Sequence, residues 1–193
     1  LSVHRSALPS VRLFHMHDVA FKRVGQHYFT TAFEGQRLYQ PFLENVDVEM
    51  YKSDRVHAVE GTAGIVMTGG RGFECDELGV GAGLNTGIDI QSDGGDILFR
   101  NRNGINGPDT GLRVDAGGGR VAVEASHMNC TRFQVDVADA DGVWFFNTQT
   151  LNGDNRNAPD RANLRLVGCR SVDIRNNAFA KSQPLFSNRE RIA

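Results

Sequence analysis

The stretch Thr86–Glu124 reads TGIDIQSDGGDILFRNRNGINGPDTGLRVDAGGGRVAVE, and its internal echo decides the fold. Two short apolar pulses, Ile88-Asp89-Ile90 and Ile97-Leu98-Phe99, return as Leu112-Arg113-Val114 and Val121-Ala122-Val123. Working outward, the same pair recurs upstream. It is seen as Val11-Arg12-Leu13 with Val19-Ala20-Phe21, Leu38-Tyr39-Gln40 with Val46-Asp47-Val48, and Ile65-Val66-Met67 with Phe73-Glu74-Cys75. Downstream it is Val135-Asp136-Val137 with Val143-Trp144-Phe145, then Leu164-Arg165-Leu166 with Val172-Asp173-Ile174. The second pulse starts eight or nine residues after the first, and successive pairs start 23 to 29 residues apart. A fixed period in this range marks a solenoid.

Each pulse alternates apolar-x-apolar, the period of a strand with one buried face. Glycine-rich corners such as Asp115-Ala116-Gly117-Gly118-Gly119-Arg120 separate the paired pulses. A weaker third pulse follows each pair, at Val24, Met50, Leu78, Ile105, Met128, Leu151 and Phe179. The expectation is an all-β chain: a single-stranded parallel β-helix of about seven coils, each with three short strands. A β-sandwich with regularly spaced strands is the competing arrangement, but it does not call for a shared internal offset. No long window carries a 3.6-residue apolar stripe, which speaks against helices.

The chain has 193 residues and a formal net charge of −2, with no basic stripe to suit nucleic acid. No apolar run approaches the ~18 residues that span a membrane. Composition shows no break, so residues 1–193 read as one domain. The start at Leu1 and the lack of an evident cap over either end suggest a piece of a longer chain. Of the three cysteines, Cys75 falls on an inward strand position, and Cys130 and Cys169 have no metal or redox spacing. All three read as structural.

From Thr86 to Ser182 the chain resembles the parallel β-helix repeat of pectate-lyase-like proteins and phage tailspikes. Thr86-Gly87-Ile88 and Thr110-Gly111-Leu112 match the opening of that repeat, and Ile174-Arg175-Asn176-Asn177-Ala178-Phe179 matches its close. Asn101, Asn147 and Asn176 fall where the family turns a corner; asparagine tolerates the left-handed backbone, and its amide can ladder between coils. The resemblance implies a right-handed helix, an extracellular or virion-tail location, a homotrimer and a polysaccharide partner that is bound and, in the depolymerases, cleaved. The alternative it leaves open is a non-catalytic shaft or adhesin segment.

Outward positions are where chemistry can sit. On the first pulse they read Arg12, Tyr39, Val66, Asp89, Arg113, Asp136 and Arg165, the last four alternating in sign. One reading is an ion-pair ladder between strands ~4.8 Å apart. The other is catalytic. Asp115 stands one coil and two residues from both Asp89 and Asp136, roughly 8 Å between backbone positions. That suits an inverting glycosidase, with Arg113 holding one carboxylate ionised while its neighbour serves as the acid. A hydrolase is favoured over a lyase, because the calcium and arginine motifs of pectate lyases are absent. No cofactor is expected, with calcium required only for lyase chemistry.

The polar insertion Asn152–Arg161 offers Asn155 and Arg156 as sugar contacts, and Arg165 and Trp144 complete the candidate binding set. His15-Met16-His17-Asp18 supplies too few ligands for a closed metal site. On the second pulse the outward column reads Ala20, Asp47, Glu74, Leu98, Ala122, Trp144 and Asp173. The run Leu98, Ala122, Trp144 is either a face for a neighbouring chain in a trimer or, at Trp144, a stacking platform for a sugar ring.

Overall fold

The computed structural model describes residues 11–14, 20–27, 31–49, 59–81, 84–152 and 162–181. These residues are all-β, with no helix among them, and hence none long and apolar enough to cross a membrane. One sheet has seven strands: β1 (Val11–Phe14), β3 (Thr31–Tyr39), β5 (Val59–Arg71), β8 (Leu84–Gln91), β11 (Thr110–Asp115), β14 (Phe133–Ala138) and β17 (Ala162–Val167). The other has twelve. Seven follow the second pulse: β2 (Ala20–His27), β4 (Phe42–Glu49), β6 (Phe73–Asp76), β9 (Asp96–Arg100), β12 (Arg120–Glu124), β15 (Gly142–Phe146) and β18 (Ser171–Arg175). Five follow the third: β7 (Gly79–Val80), β10 (Gly104–Asn106), β13 (His127–Cys130), β16 (Gln149–Asn152) and β19 (Ala178–Lys181). β4 joins the two sets, pairing β6 through Phe42–Glu44 and β7 through Asp47–Val48.

Among the described residues every strand pairing is parallel. This arrangement is consistent with a parallel β-helix. From Ile65 onward the expected registers of the first and second pulses hold. Ile65, Ile88, Leu112 and Val135 stack in register, fully buried, and Leu164 continues the column partly buried. In the second sheet Leu43, Cys75, Phe99, Val123 and Phe145 form the matching buried column. Cys130 is also buried, and burial pushes both its thiol and that of Cys75 up, away from nucleophilic or metal-binding use.

The Thr-Gly-apolar opening has a steric basis. A Cβ on Gly87 would lie 2.5 Å from the Gly111 carbonyl oxygen, so the next strand leaves no room for a side chain.

The second repeat departs from the expected register by five residues. Phe33, not Leu38, pairs with Ile65, and Leu43, not Val48, pairs with Cys75. The inward position at Gly35 hid the true alternation. A Cβ there would lie 2.4 Å from Met67 Sδ and 2.6 Å from Leu38 Cδ1, because those side chains fill the space. Glu34 therefore replaces Tyr39 in the first outward column, and Phe42 replaces Asp47 in the second. The third pulse shifts too. Val80 rather than Leu78 pairs with Ile105, Thr150 rather than Leu151 pairs with Met128, and Val24 lies in β2 opposite Val46. Met50 lies outside the described residues.

Asn101, Asn147 and Asn176 take left-handed φ values of 47°, 51° and 54°. The buried polar ladder, however, runs one or two residues further on. Asn103 accepts from Leu78 N–H at 3.0 Å and donates to the Arg100 carbonyl at 2.7 Å and to Ser126 Oγ at 3.3 Å. Ser126 N–H donates to Thr148 Oγ1, and Thr148 N–H donates to Asn177 Oδ1 at 2.8 Å. These side chains satisfy backbone groups that the corner leaves without a strand partner.

Candidate functional site

The two sheets present two different outer faces. On the seven-stranded sheet the central outward column is Glu34, Val66, Asp89, Arg113, Asp136 and Arg165, in register from strand to strand. Asp115 is two residues on from Arg113, opposite Gln91 and Ala138. The four residues Asp89, Arg113, Asp115 and Asp136 therefore share one face.

Their environments differ sharply. Asp136 is only 6% exposed although it points outward, because Arg165 closes over it. Arg165 Nε donates to one carboxylate oxygen at 2.8 Å and Nη2 to the other at 2.5 Å, while the guanidinium carbon lies 4.6 Å from the Phe133 ring. Both oxygens of this carboxylate are thus engaged by one guanidinium. Asp89 accepts a single bond from Arg113 Nη1 at 3.3 Å, and its Oδ1 is buried without a partner. Burial pushes its carboxyl above the usual carboxylate value; Arg113 opposes the rise and Asp136 adds to it. Asp115 is exposed and, among the described residues, accepts only the Gly117 N–H, at 3.4 Å. The alternating column is thus chiefly an ion-pair ladder, with Asp115 standing open beside it.

A calcium ion would fit this face poorly, since an arginine stands in register between Asp89 and Asp136. Among the described residues no three His, Cys, Asp or Glu side chains converge as a metal cage. His15, His17 and Asp18, like Asn155 and Arg156, lie outside the described residues.

The twelve-stranded sheet carries the second face. One outward column runs Phe42, Glu74, Leu98, Ala122, Trp144 and Asp173. Beside it runs Asp96, Arg120, Gly142 and Ser171. Arg120 grips Asp96 with two bonds, Nε to Oδ1 at 2.7 Å and Nη2 to Oδ2 at 2.6 Å. Arg100 Nη1 meets Glu74 at 3.0 Å. The Trp144 ring lies along the sheet rather than standing off it. A Cβ on Gly142 would be 2.9 Å from Trp144 Cη2, so the ring occupies the space a side chain there would need. The Arg120 guanidinium carbon is 6.0 Å from the ring centroid. One ring face is thus supported by the sheet, in a side chain that remains partly exposed.

Towards the N-terminal side this face opens into a cleft of about 910 Å³, lined by Tyr39, Phe42, Arg71, Glu74, Asp96, Leu98 and Arg120 among others. Its volume is in the range of small-molecule sites. The structure separates two residues that the sequence grouped as sugar contacts: Trp144 is on this sheet, and Arg165 is bound to Asp136 on the other. Phe42 and Arg71 were missed. Phe42 was displaced by the five-residue register error, and Arg71 sits in the glycine-rich stretch Gly69-Gly70-Arg71-Gly72 between two pulses, where no apolar alternation marks it. Compared with protein-family models, curated proteins and solved structures, the chain matches none of them.

Proposed function

We propose that this chain is a polysaccharide-binding module, built as a right-handed parallel β-helix of about seven coils with three short strands per coil. It binds its glycan along the outer wall of the twelve-stranded sheet. The supporting observation is the Trp144 ring, laid flat over Gly142 beside the Arg120–Asp96 pair. A flat apolar ring flanked by fixed charged hydrogen-bonding groups is what a pyranose needs, with C–H bonds against the ring and hydroxyls towards the polar rim. Binding ranks before cleavage in this reading, because arginines engage two of the three candidate catalytic carboxylates. A glycan partner places the module outside the cell or on a virion tail.

Trp144 is the single tryptophan of the chain, so its emission reports this site alone. In affinity electrophoresis through gels cast with a panel of polysaccharides, the native chain should be retarded by at least one, and Trp144→Ala should run free. Retardation that survives Trp144→Ala rejects the platform. Titration of the retarding glycan should also change Trp144 emission.

A second reading rests on the length of the apolar column. Leu98 and Ala122 continue it beyond one sugar ring, as a face against a neighbouring chain in a homotrimer would. Analytical ultracentrifugation separates the two: a trimer that Trp144→Ser drives towards monomer supports the assembly, and a monomeric native chain leaves the platform.

A further inference from the structure

The charges of the cleft point to the kind of glycan it takes, an inference that rests on the sugar-binding reading above. Each carboxylate lining the cleft already has an arginine: Glu74 has Arg100 and Asp96 has Arg120. Arg71 also lines the cleft, and among the described residues its guanidinium has no hydrogen-bond, ion-pair or ring partner. Asp93, near it in the adjoining corner, is turned to the Gly70 N–H at 2.9 Å. Among the described residues Arg71 is therefore the one charged side chain lining this cleft without an ion-pair partner.

Its position is also shaped. Arg71 is the last residue of β5, opposite Tyr39, and its guanidinium lies against the next corner at Gly94. A Cβ on Gly94 would lie 3.7 Å from Arg71 Nη2 and 4.0 Å from Nε. Gly94 has φ of 108°, a conformation that also favours glycine, so the corner that turns the chain leaves its surface bare for the fork. A planar guanidinium that lies beside this backbone corner and lines an open cleft matches a two-oxygen anion.

We propose that Arg71 forms an anion subsite, and that the glycan bound on this wall carries a carboxylate or a sulfate ester. The anion sits on Arg71, and the sugar chain continues past Arg120 towards Trp144.

An array of immobilised neutral, uronate-bearing and sulfated polysaccharides tests this with the native chain, Arg71→Gln, Arg71→Lys and Trp144→Ala. Retention of acidic members over neutral ones is expected, weakening as salt is raised. Arg71→Gln should bind about tenfold more weakly or worse, as expected for a lost charge-assisted bond, and Arg71→Lys should recover part of the loss. The uronate and sulfate arms tell which anion is read. Equal retention of neutral and acidic members, lost in Trp144→Ala, overturns the anion subsite and leaves sugar binding standing. Acidic retention unchanged in Arg71→Gln also overturns it. Retention of no member overturns both. A melting temperature unchanged in Arg71→Gln shows that any loss is not one of folding.

Discussion

The ring of Trp144 occupies the space in which a side chain at Gly142 would stand, with Trp144 Cη2 2.9 Å from an ideal Cβ at that position. A glycine two residues before an outward tryptophan thus sets the angle at which the ring meets solvent. Gly142→Ala should lift the ring edge from the sheet. The backbone there needs no left-handed conformation and the clash is with the far end of a side chain, so the melting temperature should hardly move. Trp144 emission should shift, and glycan retention should fall towards that of Trp144→Ala. An unchanged emission spectrum would show that the ring was not resting on Gly142.

The Asp136–Arg165 pair predicts a large asymmetry between single and double substitutions. Arg165→Met keeps an apolar cover over the Asp136 carboxylate but removes both of its donors, and should cost roughly 1.5–3 kcal/mol in urea unfolding. Asp136→Ala combined with Arg165→Met should cost less than the sum of the single changes, since no buried charge is stranded. Arg120→Ala at the exposed Asp96 pair should cost only about 0–1 kcal/mol. Equal losses at Arg120 and Arg165 would mean that burial is not what makes the Asp136 pair matter.

Asp89 should tune stability with pH. Burial raises its carboxyl above the ordinary value, against the pull of Arg113. A carboxyl whose pKa is higher folded than unfolded holds its proton more tightly in the native state. Its contribution to stability is complete below the unfolded value, about pH 4, and is lost as pH rises through the raised folded value. Asp89→Asn resembles the protonated form, so thermal melts should show the variant more stable than the native chain near neutrality and matching it below about pH 4. A variant less stable than the native chain at neutral pH would mean that the Arg113 bond outweighs desolvation.

Asp115 separates binding from cleavage. The binding reading expects no reducing ends from any polysaccharide the native chain retains. Asp115→Asn should then keep both retention and melting temperature, because the side chain is exposed and accepts one long bond from Gly117 N–H. Reducing ends released by the native chain and lost in Asp115→Asn, at unchanged melting temperature, would assign hydrolysis to the seven-stranded face.

The alternation of apolar residues determined, without coordinates, that the described residues are all-β, that strands one repeat apart pair, and which first- and second-pulse side chains are buried from Ile65 to Phe145; in the last repeat Val172 and Ile174 keep the register but are 46% and 44% exposed. Period two and a repeat spacing are local properties, and hydrophobic burial enforces them wherever each inward residue is itself apolar. At Gly35 the inward position is empty of side chain and is filled from Leu38 and Met67, so only packing across strands could set the register of the second repeat. The grouping of Asp89, Arg113, Asp115 and Asp136 on one face also followed from spacing. Their state did not, since it depends on which guanidinium reaches which carboxylate across strands. Tertiary structure alone decided that Arg165 seals Asp136 and that Trp144 lies flat on Gly142. It also brought Phe42 and Arg71, from repeats the linear reading had misaligned or read as turn, into one cleft with Leu98 and Arg120. Side-chain direction and partner choice arise from contacts between strands 22 to 32 residues apart in the chain, and no local pattern encodes them.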